Sequence, residues 1–161
     1  MCVFNGHAFA GGLILGLMHD QRIMTSDRKC KICLSEINIG LVLSPAYNKA
    51  CAATLTSKSF RELVLGIQWD SEQALKGEVI DAIYDGNEDC ERQIKAFAKK
   101  FAAVGAMREG IRRNKEFYFK DAIEAMDKAS FPPWQMIVMA GGEGAKIVKD
   151  SMAATAALKK K

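Results

Sequence analysis

The sequence predicts a single α/β domain in which short strands alternate with helices. First, the chain has 161 residues, of which 49% are hydrophobic, which is enough for one domain with a substantial core. Second, short apolar runs bounded by turn residues predict strands, and longer amphipathic runs between them predict helices. Third, a glycine-rich turn leads from the first predicted strand directly into an apolar helix.

The N-terminal half contains three of the predicted strands. Apolar residues cover most of the surface of the first predicted helix, so we expect it to be buried on nearly all sides. A serine cap at Ser44 followed by Pro45 predicts the start of the next helix. In order, the predicted elements are a strand at 3–4, a turn at 5–10, a helix at 10–19, strands at Arg22–Thr25 and 31–34, a tight connection at 35–38, and a helix at Pro45–Thr54.

The C-terminal half is predicted to be mostly helical. Gly77 stops one short helix, and two long amphipathic helices follow the last predicted strand. The predicted elements are helices at 57–65 and Ser71–Lys76, a strand at 79–84, and helices at 88–104 and 107–127. Three regions follow from this: a core at 1–84, a helical region at 85–128, and a tail at 129–161.

Composition excludes several functional classes. The net charge of +4 comes largely from the terminal lysines 159–161, so a nucleic-acid partner is not expected. No apolar run is long enough to span a membrane, and no signal peptide is recognised. The five cysteines are an odd number and are expected to be free thiols in a reducing compartment. Cys30 and Cys33 have the spacing of a metal or redox pair, but no second pair accompanies them, so no metal is expected.

Two features of the sequence indicate a chemical function. The glycine-rich turn at 5–12 lies at a helix start, where backbone N–H groups lack intrahelical partners and the helix dipole is positive. A lone glutamate, Glu36, lies in the apolar run 32–43. A carboxylate among apolar groups has its pKa raised and can carry a proton. Together these features predict a site that holds an oxyanion and moves a proton.

Three segments resemble the enoyl-CoA hydratase/isomerase (crotonase) superfamily. They are Asn5-Gly6-His7-Ala8-Phe9-Ala10-Gly11-Gly12, Ser35-Glu36-Ile37-Asn38-Ile39-Gly40 and Gln73-Ala74-Leu75-Lys76-Gly77-Glu78-Val79-Ile80-Asp81. In the last segment, Glu78-Val79 replaces the pair usual in the superfamily. The resemblance covers about residues 2–128 and is nearest to the peroxisomal type of delta-3,delta-2-enoyl-CoA isomerase. It implies a crotonase-like (ClpP/crotonase) fold lacking its N-terminal strands, with C-terminal helices.

The resemblance also implies roles for individual residues. The N–H of Gly11, with Ala10 and Gly12 beside it, would hold the thioester oxygen of an acyl-CoA. Glu36 would move a proton from C2 to C4 of a 3-enoyl-CoA, in an apolar lining of Ile32, Leu34, Ile37, Ile39 and Leu41. Hydratases of the superfamily carry a second glutamate three residues after the oxyanion glycine, where this chain has Ile14. The resemblance therefore favours an isomerase, with coenzyme A as part of the substrate and no separate cofactor.

Two alternatives stay open on the sequence. One is an active isomerase of fatty acid beta-oxidation, a homo-oligomer (a trimer by analogy) in the peroxisome, the mitochondrion or the cytoplasm. The other is an inactive fragment or remnant that acts as an oligomerising module through its C-terminal helices. The second alternative arises because, in the superfamily, the segment upstream of the glycine-rich turn supplies a second oxyanion donor and much of the CoA pocket.

Overall fold

The structure, a computed structural model, describes residues 1–128, where five short strands form two parallel sheets. Strands β1 (Cys2–Phe4), β3 (Arg22–Thr25) and β5 (Ala82–Tyr84) form a three-stranded sheet in the order β1-β3-β5. Strands β2 (Ala8–Phe9) and β4 (Ile32–Cys33) form a second, two-stranded sheet. Parallel pairing needs crossover connections, and helices lie in them, so the predicted α/β class is confirmed.

Strand β3 is the centre of the larger sheet. Val3 lies opposite Ile23, and Met24 lies opposite Ile83. Ile23 and Met24 are completely buried, as expected for a parallel strand covered on both faces. The main chain of Arg22 and the residue before β5 are joined by two hydrogen bonds. Arg22 N–H donates to the Asp81 carboxylate over 2.7 Å, and Asp81 N–H donates to the Arg22 carbonyl over 2.8 Å.

Helix starts in this chain are set by short polar side chains. The Ser44 hydroxyl accepts from the Tyr47 N–H over 3.3 Å, and Asp70 forms a reciprocal capping box with Gln73. The described helices are α1 (Gly11–Leu17), α2 (Pro45–Thr54), α3 (Ser57–Val64), α4 (Ser71–Lys76), α5 (Gly86–Gly105), α6 (Arg108–Tyr118) and α7 (Lys120–Asp127), with a 3-10 helix at Ser35–Ile39.

A single hydrophobic cluster joins α1, both sheets and helices α2 to α4. Trp69 is 5% exposed and belongs to this cluster, as the sequence favours. Its fully buried members are Leu13, Ile32, Cys33, Leu63, Met24, Cys51, Ala74 and Val79, with Leu17 and Leu34 nearly so.

The helices that follow β5 are attached to this core mainly through α7. Helix α7 packs along α2, where Ala122 is buried. The Tyr118 hydroxyl donates to the Ala53 carbonyl, and Lys49 Nζ lies 3.8 Å from Asp121 Oδ2. No residue of α5 or α6 is buried within the described chain.

Several predicted elements differ from the structure. The predicted turn at 5–10 contains strand β2, and α1 ends at Leu17 and exposes Leu15. The strand predicted at 79–84 is confined to β5, since Val79 and Ile80 are buried outside it. The helix predicted at 107–127 is two helices that meet at Phe119. The predicted tail at 129–161, with Trp134, lies outside the described residues.

Candidate functional site

The pairing of β2 with β4 brings the start of α1 and the Glu36 segment to the same edge of a sheet. Ala8 pairs with Ile32 and Phe9 pairs with Cys33, and the strands run parallel. The pairing extends one residue further, because the Ala10 N–H donates to the Cys33 carbonyl over 3.0 Å. Helix α1 therefore starts two residues after the end of β2, and the 3-10 helix starts two residues after the end of β4. Ligand sites of open parallel sheets lie at such carboxyl ends.

The backbone at Ala10 is left-handed. Its φ is 51° and its ψ is −124°, a conformation in which a non-glycine residue is strained by about 1–3 kcal/mol. Strain of this kind is concentrated at functional sites, although it also occurs elsewhere. This conformation could not be predicted from the sequence, because alanine has no preference for positive φ. Ala10, one of the predicted binding residues, thus has a strained backbone conformation at the junction between β2 and α1.

The start of α1 is open. No side chain caps this end of the helix, and its first backbone N–H groups have no intrahelical partner. Gly11 and Gly12 are exposed, and a Cβ added at either would meet nothing within 4 Å. Another molecule can thus approach these amides closely, as the glycine-rich turn predicts.

Glu36 lies in the first turn of the 3-10 helix and is half-buried. Its Oε2 atom is inaccessible to solvent and has no hydrogen-bond partner among the described residues. A buried carboxylate oxygen without a donor is unusual, since buried polar atoms are nearly always paired. Glu36 therefore carries an acceptor oxygen that no donor of the described residues satisfies.

Two buried thiols lie close enough to the Glu36 carboxylate for its charge to affect their pKa values. Burial raises the pKa of the Cys51 thiol to about 12, and the Glu36 carboxylate adds to that rise. Burial also raises the pKa of Cys33, again with a contribution from Glu36, while a hydrogen bond from Ser35 opposes it. Cys33 is on β4 and Cys51 is on α2, so the charge of Glu36 acts on the interior between these two elements.

The predicted apolar lining of Glu36 is only partly as expected. Ile32 and Leu34 are buried, but Ile37 and Ile39 are exposed by 47% and 49%, so these two point outward. The expectation was wrong because a 3-10 helix has about three residues per turn and does not keep a run of apolar residues on one face. Ile14 is 5% exposed and supplies no titratable group at the place where hydratases carry glutamate.

The segment that carries Glu36 is held by its neighbours. The Leu34 N–H donates to the Leu63 carbonyl over 3.2 Å, which ties it to the end of α3. Ile32 and Trp69 exchange two backbone hydrogen bonds of 2.9 Å, an antiparallel bridge that the sequence did not reveal. These bonds fix the main chain on both sides of β4. The joint action of Gly11 and Glu36 on one thioester stays a prediction.

Metal sites and membrane-spanning helices were also sought within residues 1–128. The described part of the chain contains no group of three or more His, Cys, Asp or Glu side chains placed to hold a metal ion. Its helices also include none that is both long and apolar enough to cross a membrane. All five cysteines are free thiols.

Comparison with known proteins yields a curated relative and many solved structures of similar fold. No family model matches the chain. The peroxisomal enoyl-CoA delta isomerase 2 of Arabidopsis thaliana is 36% identical over 106 residues, which is 64% of this chain and 44% of that protein. The apo enoyl-CoA isomerase of Mycobacterium tuberculosis has a TM-score of 0.64 at 24% identity, covering 76% of this chain and 54% of that one. The human mitochondrial delta3-delta2-enoyl-CoA isomerase has a TM-score of 0.65 at 22% identity, with 76% and 47% covered.

These matches confirm the resemblance to the enoyl-CoA hydratase/isomerase (crotonase) superfamily, and the described chain has part of the crotonase fold. By sequence, the similarity is to a peroxisomal delta isomerase. The chain spans about half the length of the relatives that it matches.

Proposed function

We propose that this chain acts as an enoyl-CoA isomerase, moving the double bond of a 3-enoyl-CoA to the 2,3 position. The observation that supports this most directly is the pairing of β2 with β4, which starts α1 and the Glu36 segment from one edge of a sheet. The names of the Arabidopsis and human relatives describe the same reaction class.

In the proposed mechanism, the Gly11 N–H donates a hydrogen bond to the thioester oxygen. Glu36 takes a proton from C2, which leaves a dienolate whose negative charge rests largely on that oxygen. The protonated Glu36 then returns the proton to C4, and the double bond lies between C2 and C3. One positioned donor to such an oxyanion contributes about 10²–10³ in rate, and a positioned base contributes about 10²–10⁴.

The single carboxylate favours isomerisation over hydration. Hydration needs a water molecule that is held and activated, whereas double-bond migration needs only one group that accepts and returns a proton. The buried apolar side chain of Ile14 cannot position water, and the unpartnered Oε2 of Glu36 can accept a proton.

The proposed compartment is the peroxisome, which rests on the name of the Arabidopsis relative. The proposed substrate is an acyl-CoA thioester, and the proposed assembly is a homo-oligomer. Exposed apolar side chains on the helices after β5 support that assembly, among them Phe101, Val104, Met107, Phe117, Ile123 and Met126.

The decisive experiment measures double-bond migration by the full chain, using the absorbance of the conjugated 2-enoyl thioester. Glu36→Gln should abolish the rate while leaving acyl-CoA binding and the thermal midpoint unchanged. Glu62→Gln is the matched control, since Glu62 is a surface carboxylate paired with Lys58 on α3. A Glu36→Gln enzyme with full activity would rule out the proposed base.

A second pair of variants tests the helix start. Gly11→Ala adds a methyl group in open space, so the fold should be unaffected while the thioester is displaced. A displacement of about 1 Å costs roughly 100-fold in rate. Gly6→Ala also meets nothing within 4 Å and should keep normal activity. If the wild-type chain neither binds acyl-CoA nor isomerises it, the proposed function is wrong and the alternative of an inactive remnant is favoured.

A further inference from the structure

A cavity lies at the opposite end of α1 from Gly11. Its volume is about 860 Å³, within the range of small-molecule sites. It opens between the end of α1, the start of β3, and helices α5 and α6. Helix α1 has 7 residues and so spans about 10 Å, and neither Gly11 nor Glu36 lines this cavity. Its walls are largely apolar, with Leu17, Met18, Phe97, Phe101, Ile111 and Phe119 among the lining residues.

One cationic side chain on the wall of this cavity, Arg22, forms no ion pair with a carboxylate of the described residues. Arg22 lines the cavity, and its Nε is inaccessible to solvent yet has no hydrogen-bond partner among the described residues. The two other charged lining residues neutralise each other, because Lys115 Nζ lies 2.9 Å from Asp20 Oδ1. The His19 ring is already within 3.0 Å of the Leu15 carbonyl. The cavity therefore combines aromatic and aliphatic walls with one net positive charge.

From this combination we infer that the cavity binds the free carboxylate of a straight-chain fatty acid, with Arg22 at the head group and the alkyl chain against α5 and α6. A guanidinium is the natural partner of a carboxylate, because its N–H groups match the two oxygens. An alkyl chain suits the apolar walls, whereas a polar or doubly charged ligand would leave them unused. This site goes beyond the proposed isomerase and does not rest on it.

Calorimetric titration of the full chain with octanoate tests the inference, and 1-octanol is the matched probe that keeps the alkyl chain without the charge. Octanoate should bind, and 1-octanol should bind at least tenfold more weakly. Arg22→Gln should weaken octanoate binding roughly tenfold or more, the size expected for a hydrogen bond to a charged group. Arg61→Gln, the same change on the exposed surface of α3, should leave it unaltered.

A second variant, which fills the cavity, tests the inference even if Arg22→Gln fails to fold. Ala102 lines the cavity and is exposed, so Ala102→Trp should occupy the cavity and abolish octanoate binding with little effect on thermal stability. Three outcomes would each overturn the inference. Octanoate and 1-octanol could bind equally well, either variant could bind octanoate as tightly as the wild type, or octanoate could fail to bind because another part of the chain fills the cavity. Isomerase activity is not a readout here, so the two proposals can fail separately.

Discussion

Ala10 is held in its left-handed conformation by hydrogen bonds on both sides of the residue. Its own N–H donates to Cys33 over 3.0 Å, and its carbonyl accepts from the Ile14 N–H over 3.1 Å. The first bond aligns β2 with β4, and the second begins α1. Ala10 is thus strained because it alone connects strand β2, which pairs with β4, to helix α1.

Ala10→Gly should stabilise the protein or leave its stability unchanged, because glycine adopts positive φ without strain. We expect the free energy of unfolding in urea to rise by up to about 1 kcal/mol. The control is Ala52→Gly at an exposed position inside α2, where the same change should cost about 1 kcal/mol. Equal losses in the two variants would contradict the strain described for Ala10.

The buried thiol of Cys51 should make stability fall at alkaline pH. Its pKa is raised from an ordinary value of 9.0 to about 12, so the unfolded chain loses this proton first as the pH rises. The stabilisation is complete below pH 9 and is lost progressively between about pH 9 and 12, with a slope of about 1.4 kcal/mol per pH unit from this group.

Urea denaturation at several pH values above 9 measures that slope. Cys51→Ala should be less stable at every pH, because it leaves a cavity, but its stability should fall less steeply than that of the wild type. Parallel pH profiles for the two proteins would show that Cys51 is not the group responsible.

At this scale the sequence singles out candidate residues for the site but does not predict how their neighbours are oriented. Gly11 and Glu36 stand out because a glycine-rich turn leads directly into an apolar helix and because Glu36 is the one carboxylate in the apolar run 32–43. The outward direction of Leu15, Ile37 and Ile39 could not be predicted, because hydrophobicity alone does not say which face of a short helix meets the core. The φ of Ala10 is set by strand pairing distant in sequence.

Among the elements, α1 lies unusually close to β1. A Cβ added at Gly16 would be 2.2 Å from Cζ of Phe4 and 3.3 Å from Sγ of Cys2. Phe4 is 5% exposed, so its ring has little room to move. Gly16 is therefore required by close packing of the helix on the strand.

Gly16→Ala should destabilise the protein by about 1–3 kcal/mol, because the methyl group overpacks the contact with Phe4. Gly12→Ala is the matched control on the same helix, where the methyl group meets nothing within 4 Å. That variant should be neutral or gain up to about 1 kcal/mol in helix propensity. Thermal denaturation of both variants measures the difference, and a loss at Gly12 as large as that at Gly16 would disprove the packing explanation.

Element boundaries were predictable where a local signal exists. Ser44 and Pro45 mark the start of α2, and Lys76-Gly77 marks the end of α4, as observed. Strand β2 was missed because two residues carry no alternating pattern. The junction at Phe119 was missed because no glycine or proline marks it.

On the scale of the whole molecule, the helices after β5 depend on α7 for their attachment. Ala122 is 6% exposed against α2, whereas α5 and α6 bury no residue in the described chain. Ala122→Arg should place a charge in this contact and detach the helical region from the core.

Limited proteolysis tests this expectation, with cleavage sites mapped by mass spectrometry. In Ala122→Arg, cleavage within residues 86–128 should become much faster, while residues 1–84 stay protected. Ala103→Arg, on the exposed surface of α5, should be cleaved like the wild type. Uniform loss of protection in Ala122→Arg would show that the two regions unfold together.

The order of the larger sheet has a consequence for biosynthesis. The hydrogen bond from Arg22 to Asp81 joins residues that are 59 positions apart in sequence. A nascent chain therefore presents β1 and β3 long before the ribosome has made β5, and one edge of β3 stays unpaired during that interval. Ribosome-arrested chains of increasing length should become resistant to protease only after residue 84 has left the exit tunnel; resistance in shorter chains would mean that the first two strands are stable without the third.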